Sequence, residues 1–77
     1  MAHYTNTRDF YSDAHAIAGF YESSDDPEYS AGFFPDLTYG QAKEATLYAQ
    51  RTFFPRDAAC EWWGDFLYTI QWHIKRR

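Results

Sequence analysis

The stretch that decides the fold is residues 59–75, ACEWWGDFLYTIQWHIK. Its mainly apolar side chains recur every three or four residues, at Ala59, Trp63, Phe66, Ile70 and His73, with Cys60, Leu67 and Ile74 on the same flank. This spacing covers about one-third of a helix circumference and predicts an amphipathic helix over residues 57–75. The alternation from residue 66 to 74 is also typical of a strand, but the pattern runs too long for one.

A second helix is predicted over residues 39–52. Thr38 and Gln41 have the spacing of a capping box, in which each side chain bonds the other's backbone N–H. The apolar positions that follow are Ala42, Ala45, Ala49 and Phe53. Pro55 disfavours helix at the residue before it and so closes the segment. The buried face is mostly alanine, which lets a neighbouring backbone approach closely.

The first helix is predicted over residues 7–22, with Asn6 or Thr7 as its N-cap. Its apolar face contains Phe10, Ala14, Ile17, Ala18 and Tyr21. Residues 23–37 are predicted to be a loop, with a solvated acidic first half and a second half that folds over the core as a lid through Phe33 and Phe34. A short strand at 29–34 stays open as an alternative. The chain, residues 1–77, is therefore predicted to be a single all-α three-helix domain, with an α+β fold containing a short strand or hairpin as the alternative.

Composition supports a folded chain with an unusual core. The 77 residues include seven Phe, seven Tyr and three Trp but no Val, and so few aliphatic residues would by themselves suggest disorder. A buried aromatic side chain hides roughly 150–250 Å², so a few can replace many aliphatics. We therefore expect one small domain with an aromatic core.

Several classes of function lack their residues in this sequence. A lone cysteine excludes an internal disulfide and a multi-thiolate zinc site, and Cys60 is expected to be a buried structural thiol. His3, His15 and His73 are dispersed, and the four glycines are isolated, so metal and nucleotide motifs are missing. We expect no enzyme activity, no cofactor and no metal. No apolar run is long enough for a membrane span, and the start has no signal-peptide pattern, so we expect a cytoplasmic chain.

Charge argues against direct nucleic-acid binding. The net charge is −4 and the pI is about 5.1, which repels phosphate, and no basic stripe runs along any predicted helix. The acids concentrate before residue 37, where seven acids accompany one base. The expected partner is therefore a protein.

Two surfaces are candidates for binding that partner. The first, here called the aromatic face, lies opposite the core stripe of the last helix and consists of Glu61, Asp65, Tyr68 and Trp72. Exposed Trp and Tyr with charges around them are typical of a binding hot spot. The competing interpretation is that the Phe33 and Phe34 lid covers these rings. Trp62 lies on the border of the core and the aromatic face.

The second candidate, here called the acidic surface, consists of Glu22, Asp25, Asp26 and Glu28. Clustered carboxylates on a small acidic protein can imitate the phosphates of a nucleic acid and block a basic channel. The competing interpretation is a solvated turn.

In general character the chain resembles the small proteins that phages and mobile elements encode against host defence, such as anti-CRISPR proteins. The resemblance rests on size, acidity and the lack of catalytic motifs, so no residue role is carried over. It implies an inhibitor that binds a host nucleoprotein defence complex in the host cytoplasm, through the acidic surface or the aromatic face. The alternative is a self-associating assembly module, such as a homodimer, which the surplus of aromatics and the opposed charge of the two halves of the chain favour.

Overall fold

The computed structural model describes residues 2–76, which form four helices. These are α1 (Thr7–Ser23), α2 (Pro27–Ala31), α3 (Tyr39–Phe53) and α4 (Glu61–Lys75), with a 3-10 turn over Pro55–Asp57 before α4. No strand occurs in this described part of the chain, so the all-α prediction is confirmed and the strand at 29–34 is wrong. None of the helices in residues 2–76 has both the length and the apolar character needed to cross a membrane.

Helices α1 and α3 begin where their caps predict. The Asn6 side chain accepts a hydrogen bond from the Arg8 backbone N–H. The Thr38 hydroxyl accepts from the Gln41 N–H at 3.1 Å, and the Gln41 side chain accepts from the Thr38 N–H at 3.2 Å, which completes the capping box. The two helices pack together, and both contain alanines that are fully buried, namely Ala14, Ala42, Ala45 and Ala49.

Helix α2 lies inside the segment predicted to be a loop. The Asp26 carboxylate accepts from the Glu28 and Tyr29 N–H groups, and Pro27 occupies the first turn. A helix this short is stable only through packing, which here comes from Ser30 and Ala31, both fully buried. The loop prediction is wrong over Pro27–Ala31, because these two small residues let α2 pack against α4, whereas the acids Asp25, Asp26 and Glu28 are exposed as predicted.

The predicted lid forms in part. Phe34 is buried and meets Phe66 edge-on, with ring centroids 5.7 Å apart. Phe33 stays 53% exposed and contacts Phe20 and Tyr29. The lid therefore covers the core and leaves the rings of the aromatic face in solvent.

Helix α4 begins at Glu61, later than predicted. The Asp57 carbonyl accepts from Trp63 Nε1 at 3.0 Å, and the Ala58 carbonyl accepts from Gln50 Nε2 at 2.8 Å. In a helix starting at residue 57 these carbonyls would instead accept from backbone N–H groups four residues later. Cys60 is consequently the N-cap residue and is exposed, so the prediction of a buried thiol is wrong.

Three more side chains differ from their predicted places. Trp62 belongs to the core, because its Nε1 donates to the Ser24 carbonyl at 3.0 Å and its ring stacks on Phe66. Phe53 was predicted to be buried but is 38% exposed, and Phe54 is half-buried in its place. His73 was predicted to border the core but is exposed, because the buried side of α4 is the side that includes Trp62.

Candidate functional site

A groove between α2 and α4 is the strongest candidate site. It has a volume of about 540 Å³. Its lining combines aromatic and charged side chains from both helices: Asp26, Glu28, Tyr29, Tyr68, Thr69, Trp72, His73 and Arg76. Two residues of the predicted acidic surface and two of the predicted aromatic face thus lie in one groove.

Three aromatic rings of this groove are largely in solvent. Tyr68 is 67% exposed, Tyr29 is 60% exposed and Trp72 is 50% exposed. Tyr68 and Trp72 are four residues apart on α4 and so share a face one helical turn apart. Tyr29 is held on α2, where it meets the Phe33 ring edge-on at 5.1 Å. Between them the buried Thr69 hydroxyl donates to the Asp65 carbonyl at 2.8 Å, so its hydrogen bond is directed back into α4.

Charges of opposite sign line the groove. The carboxylates come from Asp26, the N-cap of α2, and from Glu28, and the guanidinium comes from Arg76 at the end of α4. The guanidinium of Arg76 lies over the Trp72 ring, with Cζ 4.6 Å from the ring centroid. This is a cation–π contact within one exposed helix end.

A second cleft lies at the other end of α4 and contains the other two residues of the acidic surface. Glu22, Asp25 and Asp65 line it together with Cys60 and Trp62, in a volume of about 520 Å³. The acidic surface is therefore divided, with two members in each cleft. Glu61 lines neither cleft and is exposed in the first turn of α4.

The second cleft has no arrangement that activates the cysteine. Tyr21 also lines this cleft, and its phenol O–H donates to the Asp57 carboxylate at 2.8 Å. This hydrogen bond, with smaller contributions from burial and from Cys60, raises the pKa of Tyr21 above its usual value, so the phenol stays protonated at neutral pH and cannot act as a base. His15 and His73 line other surfaces. Residues 2–76 contain no group of three or more His, Cys, Asp or Glu side chains placed to hold a metal ion.

The sequence prediction missed four of the groove residues, namely Tyr29, Thr69, His73 and Arg76, and for Tyr29 the sequence carries a signal. The pair Asp26 and Pro27 is a helix-start signal, an N-cap followed by proline in the first turn. A helix beginning there places Tyr29 and Phe33 four residues apart on one side. Reading that signal would have added Tyr29 to the aromatic face.

Comparisons with protein-family models, with curated proteins and with solved structures gave no match. The interpretation of the groove therefore rests on its own geometry and chemistry.

Proposed function

We propose that this protein is a non-enzymatic binding protein that holds a partner protein in the α2–α4 groove. The observation that carries the proposal is the exposure of Tyr29, Tyr68 and Trp72 on the two helices that form a groove with charged side chains at its edge. Tyr and Trp dominate binding hot spots because they give a large contact area with few rotatable bonds. Two packed helices hold them in place before binding, which reduces the entropy that association costs.

Inhibition is the mode of action that we propose. A compact chain that covers a surface on a partner blocks any other ligand of that surface. The general resemblance to phage-encoded anti-defence proteins supports a host nucleoprotein complex as the partner. On this proposal the aromatic rings contact protein, and the neighbouring carboxylates face a basic region of the complex.

The double variant Tyr68→Ala, Trp72→Ala tests the proposal. We expect its circular dichroism spectrum to match that of the unmodified chain, because both rings are at least half exposed. The partner is first identified by capture from a host lysate. We expect the variant to lose at least about thirtyfold in affinity for the purified partner, because even one hot-spot side chain costs about 2 kcal/mol or more.

A matched control is Tyr11→Ala, Phe53→Ala, which removes two rings that are 42% and 38% exposed on the α1–α3 side. This control is expected to bind the partner normally. Equal loss of binding in both double variants would contradict the assignment of the groove. Unfolding of the Tyr68, Trp72 variant would show that these rings belong to the core.

Self-association is the second candidate function, and a second group of aromatic rings favours it. On the α1–α3 side the Tyr11 and Tyr48 rings lie 5.5 Å apart, and the Phe53 and His15 rings lie 5.0 Å apart. A two-fold dimer would bury this group against its own copy. Sedimentation velocity at micromolar concentration separates the candidates, because a strict monomer contradicts self-association.

A further inference from the structure

We infer that the partner segment held in the α2–α4 groove is basic, and that an arginine side chain of the partner inserts between the aromatic rings and the α2 carboxylates. This inference rests on the proposed function and specifies the chemistry of the partner. Three features of the groove lead to it: its aromatic walls, its acids and the place that Arg76 occupies.

The aromatic walls suit a planar cation. The faces of Trp and Tyr rings attract cations, and a guanidinium also stacks flat on them. Tyr29, Tyr68 and Trp72 present three such rings around one groove. An aliphatic partner side chain would gain only burial there, whereas an arginine gains burial, stacking and electrostatic attraction.

The acids complete the match with arginine. Glu28 is exposed on α2 and lines the groove opposite the α4 rings, next to Asp26. Carboxylates accept paired hydrogen bonds from a guanidinium, and such charge-assisted bonds are about twice as strong as neutral ones. The net charge of −4 also attracts a basic segment at long range. An acidic segment would meet repulsion from the same groups.

Arg76 shows that the groove accepts a guanidinium. Its Cζ lies 4.6 Å from the Trp72 ring centroid, and the residue follows the last residue of α4 as the C-cap. The contact is local and exposed, so it is weak, and a partner arginine that also reaches the carboxylates can displace it. In the free protein Arg76 therefore covers the Trp72 face and competes with the partner.

The test is a titration of the full, 15N-labelled chain with short glycine–serine peptides, followed by two-dimensional NMR, which detects millimolar binding. The peptides are identical except that they carry arginine, lysine, glutamine or glutamate. We expect the arginine peptide to shift the Trp72 indole N–H and the Tyr29 and Tyr68 amides. We expect the glutamine peptide to bind about tenfold more weakly, because it forms no charged hydrogen bond, and the glutamate peptide to bind more weakly still.

Two variants test the role of Arg76. Arg76→Gln is expected to bind the arginine peptide roughly two- to fivefold more tightly, because the competing cation–π contact is gone. Arg51→Gln removes the same charge from the exposed side of α3, away from the groove, and is the control. Equal effects of the two substitutions would mean that only net charge matters, and would overturn the competition by Arg76.

The remaining outcomes separate this inference from the proposed function. If the arginine and glutamine peptides bind equally, or neither shifts the groove, the inference is overturned, even where the Tyr68, Trp72 variant still loses its partner. If the arginine peptide binds but the Tyr68→Ala, Trp72→Ala variant keeps its partner, the proposed function fails. The partner then does not bind at the arginine site. Shifts of the groove amides on dilution without peptide would assign the groove to a second copy and overturn the inference.

Discussion

At the scale of single residues, two buried threonines on different helices differ in their hydrogen bonding. Thr46 on α3 is 1% exposed, and its Oγ1 has no partner within residues 2–76. Thr69 on α4 is 7% exposed and donates to the Asp65 carbonyl. A buried polar atom without a partner loses its hydration and gains nothing in return. Thr46 is thus a place where the fold loses stability.

We expect Thr46→Val to increase the free energy of unfolding by about 1 kcal/mol, since valine keeps the shape and removes the unsatisfied hydroxyl. The matched control Thr69→Val removes a satisfied hydroxyl and is expected to lower the free energy of unfolding by about 1 kcal/mol. Urea denaturation of the two variants and the unmodified chain measures both values. Destabilisation by Thr46→Val would mean that its hydroxyl is solvated or bonded after all.

The three tryptophans show what a residue's sequence position can and cannot predict. The helical period places Trp63 in the core, where it is 3% exposed, and Trp72 on the opposite side of the helix. The sequence left open whether a lid covers Trp72, and the structure leaves it 50% exposed. Trp62 falls on the border between those faces. Its place is decided by a hydrogen bond to the Ser24 carbonyl, a tertiary contact 38 residues away in the chain. Periodicity along one helix carries no information about such a partner.

At the scale of elements, local signals predicted α1 and α3 to within one residue at each end. Their caps are side-chain bonds within a few residues, which the sequence displays directly. The start of α4 was predicted too early because the backbone before it makes a tight turn, in which the Cys60 N–H donates to the Asp57 carbonyl at 2.9 Å. The side chains of Trp63 and Gln50 donate to the Asp57 and Ala58 carbonyls there. Helix α2 was missed because five residues are too few for a periodic pattern. The start of α2 is signalled by Asp26 and Pro27, but its packing against α4, on which the groove depends, is a tertiary contact that no local signal displays.

Glycine within a helix gives a prediction at this scale. A methyl group added at Gly64 on α4 would have no neighbouring atom within 4 Å, whereas one added at Gly40 on α3 would lie 2.5 Å from Nδ1 of His3. Alanine has a helix propensity about 0.8–1 kcal/mol better than glycine. We therefore expect Gly64→Ala to raise the free energy of unfolding by roughly that amount.

The matched control for this prediction is Gly40→Ala. There the gain in propensity is offset because the His3 ring must move, and the His3 backbone is held by Gln41 and Glu44 through hydrogen bonds of 3.1 Å. Thermal denaturation followed by circular dichroism compares the two variants. If both stabilise the chain equally, His3 is not packed on α3; if neither does, the helices fray at these positions.

At the scale of the whole molecule, aromatic contacts link α1, α4 and the segment after α2 in a closed path. Phe66 on α4 stacks on Trp62 at 5.2 Å and meets Phe34 edge-on. Trp62 contacts Tyr21 on α1, and Phe34 contacts Phe20, the residue before Tyr21 on the same helix. Phe66, which contacts both Trp62 and Phe34, is fully buried. One ring thus joins α1, α4 and the segment after α2, which is how a chain with few aliphatic residues obtains a connected core.

Removing that ring is expected to affect the whole fold rather than one helix. A chain of this size has a stability of roughly 5–10 kcal/mol, and Phe→Ala in a core costs about 3–5 kcal/mol. We expect Phe66→Ala to lose about a third or more of the stability, and Phe66→Leu to lose less because it fills most of the space. Tyr68→Ala, two residues away but exposed, should change stability by no more than about 0.5 kcal/mol.

Urea unfolding followed both by tryptophan fluorescence and by far-ultraviolet circular dichroism measures these losses. The two probes are expected to give the same midpoint for each variant, because Trp62 and Trp63 report on the core that also holds the helices together. Separate midpoints in Phe66→Leu would show that α1 and α3, which are joined through alanines, unfold independently of the aromatic path. A loss in Tyr68→Ala as large as that in Phe66→Ala would place Tyr68 in the core and remove the main wall of the groove.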